Sequence, residues 1–238
     1  EEPVALAIEC VETAGGHPEA LTPERAAAGL RRMGDVVRGQ MRFWLEFYDA
    51  VLDCNQRHEP DGRPYFMPVN AYNEPHGASG ETGGGMSTNI YAGGIFDLAP
   101  DEALYVEARF TGEPVYTSMH LGNLWGESPD YANHQSSLND HQMYMGPDRV
   151  QRWVVAHRDP GIQNWIDTTG LPRGYLSHRW AYSELPDESA WPKISARKIR
   201  FDEILDAFPG DQPRVSASER ADQIRIRQRH VQRRFRVF

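Results

Sequence analysis

At 238 residues, with 39% hydrophobic and 25% charged side chains, the chain is long enough for one large folded domain and too apolar for a disordered one. No apolar run nears the roughly 18 residues of a membrane span, and the acidic opening EEPVALAIECVE has no basic leader region, so the expectation is a soluble, cytoplasmic protein with no membrane partner. Cys10 and Cys54 make neither a disulfide framework nor a paired zinc spacing, and although a basic tail can bind nucleic acid or a membrane surface, no aromatic-rich platform or zinc-finger spacing supports a nucleic-acid partner.

In chain order, residues 3–14 predict a short helix, with Pro3 in its first turn and Gly15-Gly16 ending it. Thr22-Pro23-Glu24 opens a second helix, with Thr22 as its cap. Leu30, Met33, Val37, Met41, Trp44 or Leu45, Tyr48 and Leu52 recur at steps of three and four to about Gln56. Residues 55–68 are turn-rich. Residues 73–87 form a glycine-rich loop that is neither a Walker loop nor a G-x-G-x-x-G turn, and a lid or surface loop is expected there.

Strand signals follow at 86–96, 103–110, 114–121, 150–157 and 174–182, with no helix between them. Five short strands with turn chemistry between them predict a mainly β fold with flanking helices: an antiparallel β-sandwich or jelly-roll-like core, a helical N-terminal segment and a C-terminal helix. The expected organisation is a helical segment over 1–58 packed on a β-sandwich domain over 59–238, together one structural unit. Residues 202–208 predict a short helix. A last one is capped by Ser216 or Ser218, with Ile224, Val231, Phe235 and Phe238 along one side. From Arg214 onward eight arginines oppose Glu219 and Asp222, a net +6 that leaves −15 on the remainder. The basic tail is therefore expected to pack on the acidic body of its own domain, or on a partner subunit in a homo-oligomer.

Chemistry concentrates in residues 116–182, which hold five of the nine histidines and four of the six tryptophans. The stretch from His120 to Gln142 is too polar to be core, and long polar loops in compact domains are commonly functional. His134 and His141 are candidate acid–base groups, with Asp159 or Asp167 as orienter or base. His120, Asn123, Asn139, Asn164 and Arg179 are candidates to hold a carbonyl, hydroxyl or carboxylate. Trp125, Trp165 and Trp180 are candidate aromatic walls. Arg179, among apolar neighbours, needs a carboxylate partner or a bound anion. Asp159-Pro160-Gly161 and Asp167-Thr168-Thr169-Gly170 also read as turn chemistry. No histidine spacing signals a metal, no nucleotide fingerprint signals a redox cofactor, and Gly77-Ala78-Ser79-Gly80 lacks the second glycine of a nucleophile elbow.

Several strings taken in order resemble the DUF1214 family, a domain of unknown function: STNIYAGGIFDLAPDEAL (87–104), LGNLW (121–125), SSLNDHQ (136–142), DPGIQNWIDTTG (159–170), GYLSHRW (174–180) and SASERADQIRIRQRHVQRRF (216–235). The match covers about residues 85–236, and Asn-Trp-Ile-Asp is its most specific part. The resemblance implies a β-sandwich or jelly-roll-like domain, mostly bacterial, and carries no assigned chemistry. Together these signals predict a metal-independent enzyme, without cofactor, acting on a small organic molecule by His/Asp acid–base chemistry of lyase, isomerase, cyclase or hydrolase type. The alternative is a non-catalytic module binding carbohydrate or another small ligand on exposed rings and amides.

Overall fold

A computed structural model of the chain describes residues 11, 14–17, 20–54, 67–77, 86–110 and 112–234, with 50–54 described by backbone alone. The predicted helix at 3–14, most of the turn-rich stretch at 55–68 and the centre of the glycine-rich loop lie outside these residues. The chain divides into two compact units, Glu1–Phe43 and Trp44–Phe238. In the first, Thr22 caps helix α1 (Pro23–Cys54) by accepting a hydrogen bond from the Arg25 N–H at 3.3 Å. No described helix is long and apolar enough to cross a membrane.

The second unit is a two-sheet sandwich. Its strands are β1 (Asn89–Asp97), β2 (Glu102–Arg109), β3 (Tyr116–Gly122), β4 (Ser137–Asn139), β5 (Gln151–Ala156), β6 (Trp165–Asp167), β7 (Arg173–Ala181) and β8 (Lys193–Arg200). One sheet has the order β1-β7-β3-β4 and the other β6-β5-β2-β8. The five predicted strands are β1, β2, β3, β5 and β7. Sequence reading missed β8 because KISARKIR is a basic edge strand with little burial, and it missed β4 and β6 because three residues cannot show a period. One pair departs from the antiparallel expectation: β6 runs parallel to β5, Val154 opposite Trp165. The turn that brings the chain back is set by Asp159 Oδ1 accepting the Gly161 N–H at 2.8 Å, and by Asn164. Asn164 is fully buried, with its Nδ2 donating to the Tyr144 and Arg152 carbonyls and its Oδ1 accepting the Tyr144 N–H.

Alternation builds the core, because successive strand residues face opposite sides. Ile90, Phe96, Met119, Leu121, Leu176 and Trp180 of the first sheet meet Leu104, Val106, Trp153, Val155 and Ile166 of the second. The outer face of the second sheet is sealed. Tyr105, Val154, Trp165 and Ile199 are covered by Ile162, by Ile204 at the start of α2 (Ile204–Ala207) and by Phe208. Helix α3 (Ala217–Arg234) begins with a capping box between Ser216 and Glu219, as its sequence predicts. It docks by polar groups. Arg220, 7% exposed, pairs with Asp159 at 2.8 Å and lies over the Trp165 ring, Arg227 donates to the Ser137 carbonyl, and Gln228 reaches Asn133. The basic tail thus packs on an acid of its own domain.

Candidate functional site

The outer face of the first sheet is built differently. Tyr91, Gly93, Ile95 and Asp97 of β1 point outward, as do Tyr175, Ser177 and Arg179 of β7 and Ser118, His120 and Gly122 of β3. The residues around Tyr48 cover Ile95 and approach Tyr175, whose ring lies 6.4 Å from Trp44 and 6.3 Å from Phe47. Segment 67–77 pairs along the free edge of β1 through the bridges Val69–Ile95 and His76–Tyr91. The fit there requires glycine, since a Cβ at Gly94 would stand 1.9 Å from the Ala71 carbonyl oxygen.

Between these walls lies a cavity of about 420 Å³ over the sheet. Its floor is Tyr91, Gly93, Tyr175, Ser177 and His120, and its sides are Trp44, Phe47, Met67, Asn73, His76 and the turn Gly126–Ser128. That turn is held by Asn123, whose Oδ1 accepts the N–H groups of Trp125 and Glu127 while its Nδ2 donates to Glu127 Oε2 at 2.7 Å. Gly126, at φ +71°, admits the Trp44 ring where a Cβ would come within 2.2 Å of it. A polar cavity of about 150 Å³ adjoins across His120 and is lined by Ser118, Ser137, Asn139 and Gln142 among others. A third, of about 440 Å³, lies beside Trp44, Tyr48, Trp125 and Arg173.

The electrostatics favour neutral imidazoles. Desolvation, and then the positive charge of Arg179, lower the His120 pKa; desolvation alone lowers that of His76. Burial pushes the Tyr175 hydroxyl up to about 12, so it stays protonated. Arg179 sits two pairs along from His120, next on the same face, its guanidinium 4.9 Å over the Tyr91 ring, and its buried Nε has no hydrogen-bond partner among the described residues. Neither Asp159 nor Asp167 pairs with it: Asp159 holds Arg220, and Asp167 holds His134.

The sequence-predicted residues divide accordingly. His120 lines both the main and the polar cavity, Arg179 lines none of the three but packs on Tyr91 of the main one, Asn139 lines the polar one, and Asn123 holds the wall turn while it and Trp125 line the third. His134 Nδ1 and Asp167 Oδ2 meet at 2.7 Å, and Asp167 Oδ1 also accepts the Thr169 N–H. The loop before β4 and the turn after β6 therefore come together, yet neither side chain lines any of these three cavities. His141 is exposed in the turn after β4, away from that pair. Asp159 and Asn164 hold backbone and Arg220, as turn residues do. The three tryptophans do not form one wall. Trp180 is in the core against His178, and Trp165 lies on the other sheet, its indole donating to the Ala156 carbonyl. The reason is the strand period: Arg179 and Trp180 are neighbours in sequence and so face opposite sides. The same period in GYLSHRW would have shown Tyr175 and Ser177 sharing the face of Arg179, and in NIYAGG it would have added Tyr91. Trp44, Phe47, Met67 and His76 carry no such local signal. Among the described residues, no three His, Cys, Asp or Glu side chains are grouped to hold a metal ion.

Fold and cavity together define a mainly β two-sheet sandwich with a ligand-sized hollow on one outer face. Over 57% of its length the chain is similar to the crystal structure of an uncharacterized protein from Burkholderia cenocepacia, with 28% identity and a TM-score of 0.51. A structure of the VPA0106 protein from Vibrio parahaemolyticus aligns over 46% of the chain at 16% identity and a TM-score of 0.35. The chain spans about a third of the length of these proteins, 36% and 31% respectively. No family model and no curated protein matches the chain.

Proposed function

We propose that the protein is an enzyme that acts on a small organic molecule in the cavity over the first sheet, by acid–base chemistry without a metal. The observation that carries this reading is His120, an imidazole at the junction of an aromatic-walled cavity of about 420 Å³ and a polar one of about 150 Å³, its pKa lowered by desolvation and by Arg179. A neutral imidazole facing a bound molecule can take a proton at physiological pH and return it later in the cycle. The rings of Tyr91 and Tyr175 would lie under the ligand body, and Ser177 offers a hydroxyl beside it. The strings that resemble DUF1214 supply much of this floor, since STNIYAGGIF contains Tyr91 and Gly93, and GYLSHRW contains Tyr175, Ser177 and Arg179. The sugar-binding alternative is less favoured because Trp153, Trp165 and Trp180 are buried and form no solvent-facing strip.

The test is depletion of metabolites from a bacterial cell extract, followed by untargeted mass spectrometry. At least one mass should fall with the wild-type protein and fall on the order of 100-fold more slowly with His120→Gln. Extract components that bind the protein and are never consumed would make it a binding module. Equal consumption by both proteins would remove His120 from the chemistry.

A further inference from the structure

Arg179 is the feature the acid–base reading leaves unexplained. Four other arginines packed on this sandwich have polar partners: Arg152 meets Glu107 and Asp148, Arg173 meets Asp97, buried Arg220 meets Asp159, and half-buried Arg227 donates to the Ser137 carbonyl. Arg179 has no acid partner among the described residues. Its Nε–H is buried with no hydrogen-bond partner among the described residues, and its guanidinium carbon lies 4.9 Å from the centre of the Tyr91 ring. A buried donor left without a partner costs free energy that an arriving acceptor would recover. Tyr91 and His120, its neighbours on the outer face, both line the main cavity.

We infer that the molecule bound in this cavity is a monocarboxylate, its carboxylate held by Arg179 and its apolar body resting against Trp44, Phe47 and Tyr175, with His120 between the two ends. This rests on the proposed function of the same site and narrows its substrate class. The guanidinium presents donors in a planar fork that matches the two oxygens of a carboxylate. Charge count favours one negative charge over two. Neither cavity that meets at His120 is lined by Lys or Arg, so Arg179, packed on Tyr91 beside them, supplies a single positive charge; both imidazoles there have lowered pKa values, and Glu127 already contributes a negative charge to the wall. A phosphate dianion would leave charge unmatched. Position matters too: a carboxylate anchored at Arg179 puts the carbon next to it near His120, where a base could remove a proton.

The experiment uses the full chain and three probes of one shape: phenylacetate, phenylacetamide and phenyl phosphate, titrated by calorimetry and ligand-observed NMR. Wild-type protein should bind phenylacetate at least about 10-fold more tightly than the amide and no more weakly than the phosphate. Arg179→Gln should bind acid and amide alike, and Arg179→Lys should retain part of the preference. Ser177→Phe, which fills the cavity floor, should bind none of them, with thermal unfolding confirming that each variant is folded. Equal binding of acid and amide by wild type overturns the carboxylate assignment and leaves the cavity reading intact. Tighter binding of phenyl phosphate overturns it in favour of a phosphate. If no probe binds, or Ser177→Phe binds them as wild type does, both the assignment and the cavity reading fall.

Discussion

The two outer faces of this sandwich are made by the same strand alternation and end up opposite in character. On the β6-β5-β2-β8 sheet every outward apolar residue finds a cover. Phe208 meets Tyr105 edge to face at 5.1 Å, Ile204 is fully buried, and Arg220 closes over Trp165. On the β1-β7-β3-β4 sheet the cover among the described residues comes at the rim, from Trp44, Phe47 and segment 67–77, around a hollow floored by Ser177 and Gly93. The first arrangement yields stability, because closely packed apolar area is removed from water. The second forgoes that gain over an area the size of a small ligand.

The sharpest way to break this comparison is to damage both faces equally. Phe208→Ala should lower the unfolding free energy by roughly 3–5 kcal/mol, the usual cost of truncating a core aromatic. Ser177→Phe, a larger chemical change, should alter it by less than about 1 kcal/mol, because the added ring enters space that is already empty. Urea unfolding of the two variants decides the matter. A large loss in Ser177→Phe would mean that the hollow is narrower in solution than described, and that both faces are structural.

A smaller effect tests how the open face keeps its wall. Gly126→Ala forces a side chain into positive φ and drives its Cβ to 2.2 Å from Trp44. The left-handed conformation alone costs about 1–2 kcal/mol for a non-glycine residue. Relief requires the indole to move into the cavity. The expected outcome is a modest fall in thermal midpoint together with a larger fall in affinity for phenylacetate. A change in stability with unchanged affinity would show that Trp44 is not a wall of the binding space.

Much of this contrast was legible in the sequence, though not the part that matters most. The long helix, five of the six longer strands, the turn at Asp159-Pro160-Gly161 and the serine cap at 216 or 218 each have a local signature, and each is where its signature puts it. His120, Arg179 and Asn139 stood out as polar residues in or beside β-rich sequence. His134, Asp167 and Asn164 stood out for the same reason and serve elsewhere: a surface pair in one case, three backbone hydrogen bonds in the other. The distinction depends on which sheet face a residue occupies and on what covers that face. Strand parity gives the first, and it already separates Arg179 from Trp180. The second requires Trp44 and Phe47, from a helix more than 40 residues upstream of β1, to reach Tyr175. No spacing rule carries that information.

The smallest effect concerns His178, which shares a sheet with His120 but points the other way. It is fully buried, stacked on Trp153 at 5.1 Å and close to Trp180 at 3.9 Å, with neither ring nitrogen hydrogen-bonded among the described residues. Burial pushes its pKa down to about 3. In the unfolded chain the same imidazole titrates near the ordinary value of about 6.5. Between those two pH values the unfolded state binds the proton and the folded state does not. Stability from this residue is therefore complete above about 6.5 and declines as pH falls toward 3, at up to about 1.4 kcal/mol per pH unit. His178→Leu removes the titrating group without orphaning a hydrogen-bond partner, and should flatten that part of the pH–stability curve measured by urea unfolding. His120→Gln should leave most of the slope, because the His120 ring is exposed on the outer face, where partial solvation blunts the penalty on its charge. If instead His120→Gln flattens the curve and His178→Leu does not, the two histidines have been assigned to the wrong sides of their sheet.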